Sequence, residues 1–221
     1  MKTVIVVPAY NEASQIASVL VELKNYGQVV VVDDGSTDNT FDLAQAPGVI
    51  VLKHIINRGL GGAIGTGLAM AKQLRADVVV TIDADGQMKA VDIPKLIEPI
   101  VNNQADVVLG IRSLNRFQMP LRRRIYNWLS NIITYLLFGT LVSDSQSGLR
   151  AFSKKSLDEI EINSNRMEVS SEIVAEIGRH RWRLLEVGIM PIYTEYSLSK
   201  GQSFVGGIKT AWQLLIQRLL E

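Results

Sequence analysis

Two runs of mostly β-branched residues, Val29-Val30-Val31-Val32 and Val78-Val79-Val80-Thr81-Ile82, lead straight into aspartates. Apolar strands without polar alternation, set between helical stretches, argue for a mainly parallel sheet with helices on both faces. The carboxylates that follow then stand at the carboxyl ends of strands, where open α/β sheets keep their sites.

The rest of the first half keeps the alternation. Strands are predicted over 3–7, 28–32, 49–53, 77–82 and 106–110, with helices over 12–24, 37–45 and 62–75. A short helix is expected from about 92, with Pro94 tolerated in its first turn. The second half reads as helices over 121–138, 166–180 and 204–220, with short strands over 183–187 and 191–196. No internal repeat or Pro/Ser linker divides the chain, so its 221 residues are expected to form one domain.

Composition excludes several functions. The net charge of +1 gives no electrostatic case for nucleic acid, and without cysteine there are no disulfides or thiolate metal sites. His54 and His180 lack metal-ligand spacing. Residues 1–8 lack a secretory h-region, and no apolar run reaches the roughly 18 residues of a spanning helix. The expectation is a soluble or peripheral protein of the cytoplasm.

Asp83, Asp85 and Gln87 follow the fourth strand at spacing two. In extended backbone that spacing sets three oxygen-bearing side chains on one face, as hard cations such as Mg²⁺ or Mn²⁺ prefer. The same run also fits an acidic turn after an edge strand. Two further strand ends carry carboxylates: Glu12 after the first, Asp33 and Asp34 after the second. Crowded into one crevice, these repel unless a cation or hydrogen-bond donors offset them. Asn11 can cap the first helix, and Ser36 or Thr37 the second. The glycines of Asn57-Arg58-Gly59-Leu60-Gly61-Gly62-Ala63-Ile64-Gly65 are a poor dinucleotide fingerprint. That motif should follow the first strand, whereas this run follows the third. A tight loop and close helix packing explain them better.

Taken in order, VPAYNE, VVDDGSTDNT, NRGLGGAIGTG and TIDADGQ resemble the family-2 glycosyltransferases of the GT-A fold. DADGQ and the later Asp144-Ser145-Gln146-Ser147-Gly148-Leu149-Arg150-Ala151-Phe152 look most like the dolichyl- and polyprenyl-phosphate sugar transferases. The resemblance implies an α/β fold with a mainly parallel central sheet flanked by helices. It also implies a nucleotide-sugar half over about 1–112 and an acceptor half over about 113–221. Pro8, Tyr10, Glu12, Asp33, Asp34, Asn57, Gly61, Asp83, Ala84 and Lys200 would serve the donor. Asp83, Asp85 and Gln87 would hold Mg²⁺ or Mn²⁺ on the diphosphate. Arg112 and Arg123 would bind phosphate. Ser147, Gly148 and Glu172 would border the acceptor.

The implied reaction is inverting transfer of a sugar from a GDP- or UDP-sugar to a polyprenyl or dolichyl phosphate. A phosphate nucleophile, with its second pKa near ~6, needs no strong base. A saccharide hydroxyl, the alternative acceptor, would need one, and Asp144 is the candidate; it could equally cap its own loop. The loop before the last helix departs from the family. It lacks the usual Arg, and Phe204 stands where a Lys is common, so Lys200 is expected to supply the charge. The family's spanning helices are not expected after it.

Arg122-Arg123-Arg124 at a helix start favours a nearby phosphate or anionic membrane surface. Behind it Ile125, Trp128, Leu129, Ile132, Ile133, Leu136 and Leu137 form an apolar stripe, with Asn127, Ser130, Asn131 and Thr134 on the other face. This helix fits core packing or peripheral membrane attachment, with the aromatics favouring the latter. The stripe in 204–220 fits membrane, domain or a second copy in a homo-oligomer. Two rival functions remain. A nucleotide-sugar pyrophosphorylase should show a Gly-rich basic loop at the first strand, where this chain has Pro8-Ala9-Tyr10. A non-catalytic partner of a membrane transferase would be favoured by loss of the acidic motif, which is intact.

Overall fold

The computed structural model describes residues 1–112, 128, 131, 132, 135, 139–190 and 192. Among the described residues seven strands form one sheet in the order β3-β2-β1-β4-β6-β5-β7. The first four are β1 (Thr3–Ala9), β2 (Gln28–Asp33), β3 (Ile50–Lys53) and β4 (Val78–Thr81). They pair in parallel, with Val6 opposite Val30 on one side and Thr81 on the other. β5 (Val107–Ile111) and β7 (Leu184–Gly188) are also parallel to each other. Only β6 (Arg150–Ser153) runs against its neighbours, β4 and β5. All strands but β6 therefore end on one edge, and β6 begins there.

Successive side chains alternate between two apolar layers, which explains why these strands carry no polar face. Ile5, Val7, Val29, Val31, Val78 and Val80 pack with Ile16, Val19, Leu20 and Leu23 of α1 (Ile16–Leu23), and with Ile93 and Leu96 of α4 (Ile93–Val101). Val4, Val6, Val30, Val32 and Val79 face the other way. They meet Ala63, Ile64, Leu68 and Ala71 of α3 (Leu60–Gln73), and the same layer holds Leu157 of α5 (Lys154–Glu159) and Ile173 and Ile177 of α6 (Val169–His180). A short α2 (Thr40–Ala44) follows β2.

The glycines of α3 serve close packing, as the sequence suggests. A Cβ on Gly67 would lie 2.1 Å from Val6 Cγ1, and one on Gly61 would lie 2.0 Å from the Ser164 carbonyl oxygen. The N–H groups of Gly61 and Gly62 donate to the carbonyls of Arg166 and Asn165, so they present no free phosphate cradle.

Several local expectations are corrected. α1 begins at Ile16, because the Glu12 carbonyl first accepts from Gln15 and Ile16 in a turn. Asn11 does not cap it. Asn11 adopts a left-handed φ of 53°, and its Oδ1 accepts from Thr37 N–H at 2.8 Å. Ser36 and Thr37 are likewise not the cap of α2, whose N-cap is Asn39; Ser36 Oγ accepts from Asn11 N–H. Pro94 does sit in the first turn of α4. β6 and α5 were not anticipated. Of the region 121–138, the described residues 128, 131, 132 and 135 are helical. The expected strand over 191–196, apart from residue 192, and the helix over 204–220 lie outside the described residues.

Candidate active site

The shared strand edge gathers most of the anticipated residues. Pro8 and Ala9 close β1 opposite Val32 and Asp33 of β2. Tyr10 is exposed and Glu12 is buried, its N–H donating to Thr40 Oγ1 at 2.8 Å. Asp33 is fully buried. Its Oδ1 accepts from Ser36 N–H at 3.3 Å, while Oδ2 has no hydrogen-bond partner among the described residues. A buried carboxylate oxygen left unpaired is costly and fits a site built to receive donors from a ligand.

Asp34 does a different job from its neighbour. Oδ1 hydrogen-bonds His54 Nδ1 at 2.7 Å and accepts from Arg58 N–H at 2.9 Å, and Oδ2 accepts from Gly59 N–H at 2.6 Å. These bonds commit both oxygens to shaping the 54–59 loop, in which Asn57 is exposed.

The acidic motif is not the extended row expected from its spacing. The chain turns after β4, with Gly86 at φ 72°, and Gln87 N–H donates to Asp85 Oδ1 at 2.9 Å. The Gln87 amide nitrogen also donates to Asp85 Oδ2. Gln87 thus orients Asp85, because Gly86 folds the backbone back where spacing alone suggests alternation. Ala84 is buried beneath the turn.

Asp83 packs on the opposite loop so closely that a Cβ on Gly148 would lie 2.1 Å from its Oδ2. Thr81 Oγ1 donates to the Gly148 carbonyl at 2.9 Å and fixes that approach. Although some of its surface meets solvent, protein encloses the Asp83 carboxyl. Burial first, and then the Asp85 charge, push its pKa up to about 6, against the pull of Arg150 and Arg112. Ionising both aspartates is therefore unfavourable until a cation joins them.

Arg112 follows β5 and grips Asp144 with Nε to Oδ2 at 2.7 Å and Nη2 to Oδ1 at 2.8 Å. Its backbone N–H adds a third bond at 3.2 Å. Ser147 lies buried in the same loop, its Oγ without a hydrogen-bond partner among the described residues. Arg150, the first residue of β6, is 2% exposed and donates from Nη2 to Ser145 O and Ser170 Oγ. Sequence reasoning passed over Arg150, since a lone Arg beside Ala151 and Phe152 reads as a surface position; its place inside the Asp144–Phe152 motif was the available signal.

Glu172 does not join this group through its carboxylate. Its oxygens accept from Asn163 N–H at 2.7 Å, Ser164 N–H at 3.0 Å and Ser164 Oγ, holding the turn before α6. Arg123 and Lys200 lie outside the described residues.

Beside the site, Asn131 turns inward. Its side chain donates to Ser143 O at 2.7 Å and accepts from Ser145 N–H at 3.0 Å, while Trp128 and Tyr135 are 64% and 47% exposed. The expected division of this helix is corrected accordingly: Asn131, one turn from Trp128, anchors the helix to the Asp144 loop. No helix among the described residues is long and apolar enough to cross a membrane.

Among the described residues no three His, Cys, Asp or Glu side chains gather as a metal cluster. Asp83 and Asp85, which act on each other at the end of β4, can offer carboxylates to a hard cation. That donor set fits Mg²⁺ or Mn²⁺ when a diphosphate and water supply the remaining oxygens.

Comparison with known proteins gives these features a context. Residues 4–161 match glycosyl transferase family 2. The chain is 44% identical to an uncharacterized protein of Methanocaldococcus jannaschii, over 97% of this chain and 91% of the relative. It is 38% identical to UDP-N-acetylglucosamine–dolichyl-phosphate N-acetylglucosaminyltransferase of Methanococcus voltae, over 97% of this chain and 95% of the relative. Among solved structures it resembles glucosyl-3-phosphoglycerate synthase of Mycobacterium tuberculosis in complex with Mn²⁺, UDP and glucosyl-3-phosphoglycerate. That likeness has a TM-score of 0.76 at 20% identity, covers 98% of this chain and 79% of the other, and shows a common fold.

Proposed function

This chain belongs to glycosyl transferase family 2, and from that premise we propose that it moves a sugar from a nucleotide-sugar to a lipid phosphate of the polyprenyl or dolichyl type. The chain is a glycosyltransferase of GT-A fold. The observation that carries the finer reading is the Asp83–Asp85 pair at the end of β4, where burial first and then the Asp85 charge push the Asp83 carboxyl up to about 6. Beside it, across β1, lies the Asp33 oxygen that has no hydrogen-bond partner among the described residues.

In this reading Asp33, with Pro8, Tyr10 and Glu12, holds the nucleoside, and Asp83 and Asp85 hold Mg²⁺ or Mn²⁺. The metal, when bound, neutralises charge on the leaving diphosphate. Gln87 keeps the Asp85 carboxylate aimed, and Gly148 leaves room for Asp83. Arg112, its fork held by Asp144, adds positive charge beside the phosphates, with Arg123 and Lys200 as further cations for them. Asn57, Gly61 and Ala84 shape the donor side, and Ser147 and Gly148 the acceptor side.

The Arg112–Asp144 pair favours a phosphate acceptor over a hydroxyl. Both Asp144 oxygens are held by the guanidinium, so no base stands free there to deprotonate an alcohol. A lipid phosphate brings its own ionised oxygen. The inward Asn131 and outward Trp128 and Tyr135 suit a chain lying on the cytoplasmic face of a membrane.

The test is transfer from labelled UDP- and GDP-sugars to a short-chain polyprenyl phosphate, with a free saccharide as the rival acceptor. The expected product is a lipid-phosphate sugar formed only with Mg²⁺ or Mn²⁺. Transfer to the saccharide alone would replace the lipid-phosphate reading with the hydroxyl one.

A further inference from the structure

Arg150 is the largest of the fully buried side chains among the described residues. In the sheet it stands opposite Thr81 of β4 and Leu109 of β5. Its Nη2 reaches only a carbonyl and a hydroxyl, and Nη1 has no hydrogen-bond partner among the described residues. No described carboxylate forms a direct ion pair with it. A buried guanidinium without a carboxylate partner is expensive and gains little for folding. Burial lowers its pKa to about 10, so it stays charged at neutral pH, and Asp83 and Asp144 are the acidic groups that act on it.

The charges around Asp83 explain its placement. Asp85, Arg112 and Glu12 act on Asp83 along with Arg150, and of the two arginines Arg112 is ion-paired with Asp144. Arg150, opposite Thr81 and so two residues along the chain from Asp83, thus sets a buried positive charge against the Asp83 end of the pair. Glu12 acts on Asp83 less than Asp85 does, and no three carboxylates or imidazoles gather as ligands among the described residues.

We infer that Arg150 is a built-in counter-charge that keeps the Asp83–Asp85 pair from retaining a divalent cation until a diphosphate arrives with it. The inference rests on the metal-diphosphate reading of that pair. The incoming diphosphate supplies the negative charge that Arg150 offsets, so metal and nucleotide enter and leave together. Arg150 is a positioning residue here, acting through Asp83 and through the Ser145 loop.

Mn²⁺ titration, with and without UDP or GDP, tests this directly. The wild-type chain should bind Mn²⁺ weakly alone and more tightly with the nucleoside diphosphate. Arg150→Met should bind Mn²⁺ alone on the order of tenfold more tightly, because a nearby repulsive charge is gone. Arg150→Lys should stay near wild type. Should the methionine variant fail to fold, Ser170→Asp provides the second arm, since it pairs the guanidinium while leaving it in place and should also tighten Mn²⁺. Folded variants with unchanged or weaker Mn²⁺ affinity would overturn the counter-charge role and leave the metal reading intact. A wild-type chain that takes no Mn²⁺ even with either nucleotide would overturn both.

Discussion

Arg112 and Asp144 meet fork to carboxylate, 2.7 and 2.8 Å apart, at the point where β5 leaves the sheet. A carboxylate thereby occupies the guanidinium face that a phosphate would use. If the two act as one unit, their losses will not add. Asp144→Asn and Arg112→Ala should each lower kcat/KM for the lipid phosphate by about ten- to a hundredfold, and the double variant little further. A double-mutant cycle measures this, and fully additive losses would separate their roles.

Gly148 is the position where the smallest change should do the most. Any Cβ there collides with the Asp83 carboxylate. Gly148→Ala should cost about 1–3 kcal/mol of stability from overpacking. It should also abolish the extra thermal stabilisation that Mn²⁺ gives a nucleotide-sugar complex. A variant that kept that stabilisation would show that Asp83 can move without losing the metal.

Acid stability should report a pair at the opposite end of β5. Asp106 is buried and accepts from Arg183 Nε, Nη2 and N–H. The Arg183 side-chain hydrogen bonds hold its carboxyl below the usual range, against the opposing effect of burial. A depressed carboxyl pKa stabilises the fold above the unfolded value, near ~4, and that contribution disappears as pH falls through the lower folded value. Urea midpoints should therefore separate wild type from Arg183→Met most widely at neutral pH, and converge only below about pH 4. A constant gap across that window would mean Arg183 acts by packing alone.

Trp128 and Tyr135 should matter for lipid surfaces and little for folding. Replacing both with Ser removes exposed aromatic area while leaving the Asn131 anchor in place. Flotation on vesicles containing anionic lipid should fall several-fold at an unchanged melting temperature. Equal flotation would place the membrane contact elsewhere or nowhere on this helix.

The parallel strands were legible in the sequence because double-sided burial leaves an apolar signature that few other structures share. β1 to β5 and the carboxylates after them follow from it. β6 was not legible: it is four residues long and opens with a charged side chain, and only the fold reveals that Arg150 is buried. The spacing of Asp83, Asp85 and Gln87 suggested three ligands in a row, but Gly86 turned the backbone and made Gln87 a support for Asp85. Asn11, Ser36 and Thr37 have the composition of helix caps. They instead tie the β1 and β2 loops to each other, a long-range choice that local propensity does not record. Asp33 and Asp34 are chemically identical neighbours in the sequence. Alternation across the strand end leaves one with an oxygen unpartnered among the described residues and gives the other a loop to hold.

If Asp83 and Asp85 hold a divalent cation on a nucleotide-sugar diphosphate, donor binding must depend on that cation and on Asp85. Calorimetric titration of UDP- and GDP-sugars into the wild-type chain and Asp85→Asn, each with and without Mn²⁺, measures that dependence. Mn²⁺ should tighten binding of at least one nucleotide-sugar to the wild-type chain by about tenfold or more, and Asp85→Asn should remove the Mn²⁺ dependence. Equal Mn²⁺ dependence in both proteins, or no nucleotide-sugar binding to the wild-type chain, would contradict that role for the two aspartates.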